Sequence, residues 1–160
     1  MSESAAFIAP LPAPPAVPPL IARLVEQHAA NWVGLDTLDA WLHAPGEALL
    51  LLCGDPQRYP ECLDVAVILP ELCRALSTRH ACHLRLGVGR RDDEAALAER
   101  FALRRWPSII WLRDGHYVTQ IDGMRDWDAY LHLAGAALQQ RQALIPLRAD
   151  EPPRAPGGCQ

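Results

Sequence analysis

The residues best suited to chemistry in this 160-residue chain are five cysteines, at positions 53, 62, 73, 82 and 159. A thiolate is both a nucleophile and a metal ligand, and two cysteines in a C-x-x-C motif can exchange disulfides. No pair in this chain has that spacing. An odd count without it fits a reduced, cytosolic protein better than a disulfide framework. His80, Cys82 and His83, with Cys73 nearby, raise the question of a metal. The pattern H-x-C-H has no matching second pair, and residues 82 and 83 face opposite ways along a strand, so no metal site is expected. Gly87-Val88-Gly89 reads as a strand end, because the remaining glycine and the Lys-Ser/Thr of a phosphate loop are missing. No Ser/His/Asp constellation stands out, and no catalytic residue or cofactor is expected.

Carboxylates form the second group. Glu61, Asp64 and Glu71 fall at successive spacings of three and seven, which puts them on one helical face. With Asp55 in the preceding loop they make an acidic patch. Such a patch suits a guanidinium partner, through charge-assisted hydrogen bonds. A solvated helix face explains the same residues, since acids in a first turn are also favoured by the helix dipole.

The elements that must position these groups centre on residues 101–123. Asp114-Gly115 lies between two apolar or β-branched runs, a strong hairpin signal. The first run, 108–112, is apolar nearly throughout, as for a strand covered on both faces. The second, 116–121, alternates like an edge strand. Pro107 marks the start of the first strand, and the isomer of its peptide bond is left open.

Upstream, residues 1–19 are rich in Ala and Pro and read as a flexible arm. A helix begins at Leu20, with Ile21, Leu24, Val25 and His28 on one face, and His28 reads as packed or solvated. Residues 31–33 suit a short strand, and Asp36 an N-cap for a brief helix bearing Leu38, Trp41 and Leu42. The run 48–53 reads as a central strand, and 54–62 as a loop. A helix follows over 64–77, with Val65, Ile68, Leu69, Leu72, Cys73 and Leu76 inward and a kink at Pro70. Residues 82–88 give another strand. Asp92 caps a helix from 93 to about 103, with Ala95, Leu97, Ala98 and Phe101 inward. Asp126 caps a last helix with Trp127, Tyr130, Leu131, Ala134 and Leu138 on one side. The folded domain spans 20–145, and 146–160 reads as a disordered tail.

This size supports one domain, which buries about 70% of its unfolded surface. The formal charge of −4 argues against general nucleic-acid binding. No apolar run is long enough for a membrane span, and no basic region precedes the N-terminal apolar residues as in a secretory signal. A cytoplasmic protein without membrane insertion is expected.

Strands alternating with helices, then a hairpin, predict an α/β fold: a mixed sheet with a parallel core and an antiparallel hairpin, flanked by helices. A strand, a loop, a helix kinked by proline, a Trp-Pro step and an Asp-Gly hairpin resemble thioredoxin over roughly residues 30–140. Aligning Pro70 with that family's kinking proline puts Cys62 at the nucleophile and Val65 at the resolving position. Valine cannot resolve a mixed disulfide. Cys62 alone remains as a monothiol, or as an incidental thiol with Glu61 and Asp64 disfavouring its thiolate.

A closer resemblance lies in Leu52-Cys53-Gly54-Asp55-Pro56, Arg58-Tyr59-Pro60-Glu61, Asp64 to Leu72 (DVAVILPEL), Arg104-Arg105-Trp106-Pro107, Arg113-Asp114-Gly115 and Gly123 to Trp127. These blocks resemble the HyaE/HupG hydrogenase-expression family. The resemblance implies a thioredoxin-like fold without a thioredoxin active site. It implies a non-catalytic chaperone in [NiFe] hydrogenase maturation, which binds the small-subunit precursor and its twin-arginine signal peptide before export. Other hydrogenase accessory proteins are further expected partners. On this reading the client-binding candidates are Asp55, Tyr59, Glu61, Asp64, Val65, Glu71, Trp106 and Pro107, with Tyr59, Val65 and Trp106 as the exposed apolar members. The alternatives are a monothiol redox protein using Cys62 and a generic thioredoxin-like adaptor.

Overall fold

The computed structural model describes residues 16–140. The expected arm up to residue 15, the residues from 141 onward and Cys159 lie outside the described residues. The elements run α1 (Pro19–Gln27), β1 (Asn31–Val33), α2 (Leu35–His43), β2 (Glu47–Leu52), α3 (Glu61–His80), β3 (Leu84–Gly89), α4 (Glu94–Arg100), β4 (Ser108–Arg113), β5 (His116–Asp122) and α5 (Trp127–Gln139). The strands form one sheet in the order β1-β3-β2-β4-β5. β1, β3 and β2 are parallel, while β4 runs antiparallel to β2 and β5 antiparallel to β4. This is the expected mixed sheet, with the hairpin strand β5 at its edge.

Why β2 is apolar at nearly every position is visible in its two faces. Side chains alternate across a strand. Leu49 and Leu51 join one buried cluster, with Leu69, Leu72 and Leu76 of α3, Leu24 of α1 and Tyr130 and Ala134 of α5. Ala48, Leu50 and Leu52 join the other, with Leu38 and Trp41 of α2 and Leu97 of α4. Burial of one leucine contributes about 1.5–3 kcal/mol, so this strand anchors both layers. Gly87 of β3 keeps the second layer close: a Cβ there would stand 2.7 Å from the Trp41 ring.

Four expectations shift, each for a local reason. α2 starts at Leu35, and Thr37 Oγ1 accepts the Gly34 N–H at 2.9 Å, so that cap is filled before Asp36. Asp36 pairs instead with Arg90 at 2.8 Å. α3 is three residues longer at each end than expected. Pro60 already has helical angles (φ −61°, ψ −25°), and Ala81 in the left-handed region (φ +50°) ends it. Pro70 lies inside this helix. A 3-10 turn at Arg91–Asp93 leads into α4, which ends at Arg100, before Ala102 at φ +54°. Ala95 is exposed, and Glu94 is the residue that turns inward. Trp127 is 41% exposed rather than packed.

Candidate functional site

The C-terminal ends of β2 and β3, the start of α3 and the segment before β4 meet at one place. β2 stops at Leu52, and Cys53 and Gly54 carry the chain out of the sheet. Gly54 has φ +72°, a region open to glycine, and its backbone lies beneath the Tyr59 and Trp106 rings. The loop closes on Asp55. Its carbonyl accepts the N–H groups of Arg58 (3.0 Å) and Tyr59 (2.7 Å), and its carboxylate accepts that of Gln57 (3.0 Å). The Cys62 N–H then bonds the Tyr59 carbonyl at 3.1 Å as α3 begins. From the other side, the Trp106-Pro107 peptide is cis. Pro107 is buried, and its carbonyl accepts the Gly123 N–H at 2.7 Å.

Glu94 ties the strand end to α4. It is 3% exposed, and its carboxylate accepts the N–H groups of Cys53 (2.7 Å) and Gly54 (3.0 Å) and the Arg91 guanidinium (3.1 Å). Burial raises its pKa, against the lowering effect of those bonds. Arg91 also reaches Asp55 at 3.6 Å. These groups line a cavity of about 310 Å³, together with Cys53 and the apolar Val17 and Trp32.

Cys62 is fully buried at the first turn of α3. The residue three positions on, Val65, is also buried (1% exposed), so it is not the exposed client contact expected of it. It packs into the core between α3 and the sheet. Cys62 nevertheless has a sulfur neighbour. The Cys53 side chain lies against it, and the contact lowers the Cys62 thiol below its ordinary value while raising Cys53 well above. Burial and Glu94 oppose the lowering at Cys62.

The remaining candidates sort by position. Asp55, Tyr59, Glu61 and Asp64 gather at the loop and the first turn of α3, with Trp106 half-buried against the loop. Asp64 is exposed, and neither it nor Glu61 has an ion-pair partner among the described residues. Glu71 stands apart. It lies ten residues beyond Glu61, about 15 Å along a helix, and is paired with Arg74. Cys53, Arg91 and Glu94 also meet at this place, and the sequence reading does not single them out. The available signal is an acid opening a helix where an apolar residue should face inward. Among the described residues no group of three or more His, Cys, Asp or Glu is placed to hold a metal, and no helix is long and apolar enough to cross a membrane.

A family model described as Hydrogenase-1 expression protein HyaE matches residues 20–130. The hydrogenase expression/formation protein HoxO of Cupriavidus necator is 51% identical over 139 residues, covering 86% of this chain and 84% of that protein. The hydrogenase expression/formation protein HupG of Bradyrhizobium diazoefficiens is 41% identical over 111 residues, covering 67% of this chain and 72% of its own. Among solved structures, mitochondrial thioredoxin 3 from Saccharomyces cerevisiae in its oxidised form superposes with a TM-score of 0.55 at 12% identity, covering 71% of this chain and 97% of that one. That likeness establishes the thioredoxin-like fold.

Proposed function

The chain belongs to the HyaE family of hydrogenase-expression proteins, and on that basis we propose that it is a chaperone of [NiFe] hydrogenase maturation. It binds the small-subunit precursor through its twin-arginine signal peptide, in the cytoplasm and before export. It acts by holding its client rather than by catalysis, and other hydrogenase accessory proteins join it in that role.

The observation that carries this reading is the rim around the buried thiols. Glu61 and Asp64 present carboxylates without ion-pair partners among the described residues, beside the half-buried rings of Tyr59 and Trp106. Paired arginines next to an apolar stretch need carboxylates next to apolar surface. Arg–carboxylate bonds are often bidentate, which gives direction as well as attraction. Asp55 extends the rim, although it shares Arg91. Val65 and Pro107 support it from beneath, as buried residues.

Co-precipitation from cells expressing the hydrogenase precursor tests the reading. A precursor with intact paired arginines should be retained and one with both replaced by glutamine should be lost. Equal retention of the two would rule out signal-peptide recognition.

A further inference from the structure

We propose that the cavity beside the 54–60 loop seats one arginine side chain of the client, whose guanidinium takes Asp55 from Arg91. This rests on the client reading above and names the place where one of the paired arginines goes. The charged groups lining the cavity are two carboxylates, Asp55 and Glu94, and one guanidinium, Arg91. Glu94 is satisfied, since it accepts the N–H groups of Cys53 and Gly54 and bonds Arg91 at 3.1 Å. Asp55 is less so. Its Oδ1 accepts the Gln57 N–H at 3.0 Å, while its Oδ2 has as partner among the described residues only Arg91, at 3.6 Å. That separation is beyond hydrogen-bond reach. The side chains of Asp55 and Arg91 are 45% and 43% exposed, so an incoming group reaches both. Arg58, on the same loop, lies over the Tyr59 ring, 5.5 Å from its centroid, and is not part of the cavity wall.

The walls suit arginine in particular. Trp32 offers a ring on which a guanidinium stacks, and Val17, Ile21 and Pro56 offer apolar surface for the aliphatic stem. A volume of about 310 Å³ lies at the small end of ligand pockets, about 300–1,000 Å³, and fits one long side chain. Gly54 forms part of this wall, and its backbone lies beneath the Tyr59 and Trp106 rings. The cavity and the carboxylate rim therefore share one loop. Two neighbouring arginines divide between Asp55 here and Glu61 or Asp64 there.

Arg91 is then an internal competitor for Asp55. On displacement it keeps its Glu94 bond, so no buried charge is stranded. Asp55 exchanges a loose contact for a charge-assisted hydrogen bond, which is the stronger of the two. A definite sign follows. Removing a structural support would weaken client binding, whereas removing a competitor strengthens it.

Calorimetric titration of the full-length chain with a signal peptide bearing paired arginines tests the assignment. Arg91→Gln should bind the peptide about threefold tighter than the parent, and Asp55→Asn about fivefold weaker, the scale of one half-exposed ion pair. In the Asp55→Asn background Arg91→Gln should bring no gain, because the two residues act through one contact. Unchanged or weaker binding in Arg91→Gln, or a gain that persists without the Asp55 carboxylate, overturns the proposal. In the unaltered chain, the same peptide with a photoreactive diazirine residue beside the arginines should cross-link to Val17, Ile21, Trp32 or Pro56. Cross-links confined to the start of α3, or to another surface, overturn the site whether or not Arg91→Gln folds. Either failure, with the peptide still bound by the parent, removes this site alone. A parent that does not bind the peptide removes the client reading with it.

Discussion

The backbone of Gly54 lies so close to Trp106 that a Cβ on the glycine would stand 2.9 Å from the Cβ of the tryptophan. The same added carbon would stand 2.9 Å from Tyr59 Cδ2, at a position with φ +72°. Gly54→Ala therefore meets steric conflict on two sides and a disfavoured backbone. The expected loss is about 1–3 kcal/mol, the usual size of one strained position. Denaturant unfolding measures it, and a change below about 0.5 kcal/mol would mean that the rings give way freely.

Glu94 supports the same turn from below. Removing its carboxylate strands the buried N–H groups of Cys53 and Gly54 and releases Arg91. Glu94→Ala should cost about 2–4 kcal/mol, one to two unsatisfied buried donors. Thermal or denaturant unfolding would show this, and a near-neutral result would mean that water replaces the carboxylate.

The raised Glu94 pKa sets a pH dependence with a definite sign. The folded state binds this proton more tightly than the unfolded state, whose value is near the usual 4.5. The group's contribution is therefore full below about pH 4.5 and is lost as pH rises through the folded pKa. Glu94→Gln cannot titrate. Its stability deficit relative to the parent should be larger at pH 4 than at pH 7. A deficit independent of pH, or larger at pH 7, would contradict the sign.

At the far end of the sheet, Arg113 binds Glu47 and the α5 carbonyls of Ala137 (3.1 Å) and Leu138 (3.2 Å). Cations at a helix C-terminus are favoured, and both members of the ion pair are largely buried, at 18% and 14% side-chain exposure. Arg113→Ala leaves Glu47 with the Trp111 indole N–H as its partner among the described residues. The expected loss is about 2–4 kcal/mol, toward the value for breaking a buried pair, with faster hydrogen exchange in α5. Unchanged exchange in α5 would show that the helix does not depend on this clamp.

Much of this fold is legible in residue patterns, and the exceptions share a cause. The β2 run, the α3 stripe and the Asp114-Gly115 hairpin follow from periodicity and turn chemistry, which act over a few residues. Asp126 does cap α5, accepting the Ala129 N–H at 2.8 Å. Asp36 does not cap α2, because the helix begins one residue earlier, at Leu35, with Gly34 in the capping position. Val65 belongs to the inward stripe that periodicity predicts for α3, and that face, rather than its place three residues after Cys62, decides its burial. The contact between Cys53 and Cys62, and the reach of Glu94 back to residues 53 and 54, are tertiary. No spacing rule encodes them, since they depend on how α3 and α4 pack against the two faces of the sheet.

Recognition of a cationic client should rest on the carboxylates at the start of α3. The decisive experiment is titration of the purified chain with a signal peptide bearing paired arginines, comparing the parent with Glu61→Lys/Asp64→Lys. Both positions lie in the first turn of α3, where reversal also loses a helix-dipole interaction of about 0.3–1 kcal/mol each, so the unfolding transition is measured beside the affinity. The double variant should lose at least tenfold in affinity, about 1.4 kcal/mol, with the unfolding transition retained. Equal affinity in a folded double variant would mean that these carboxylates do not bind the client.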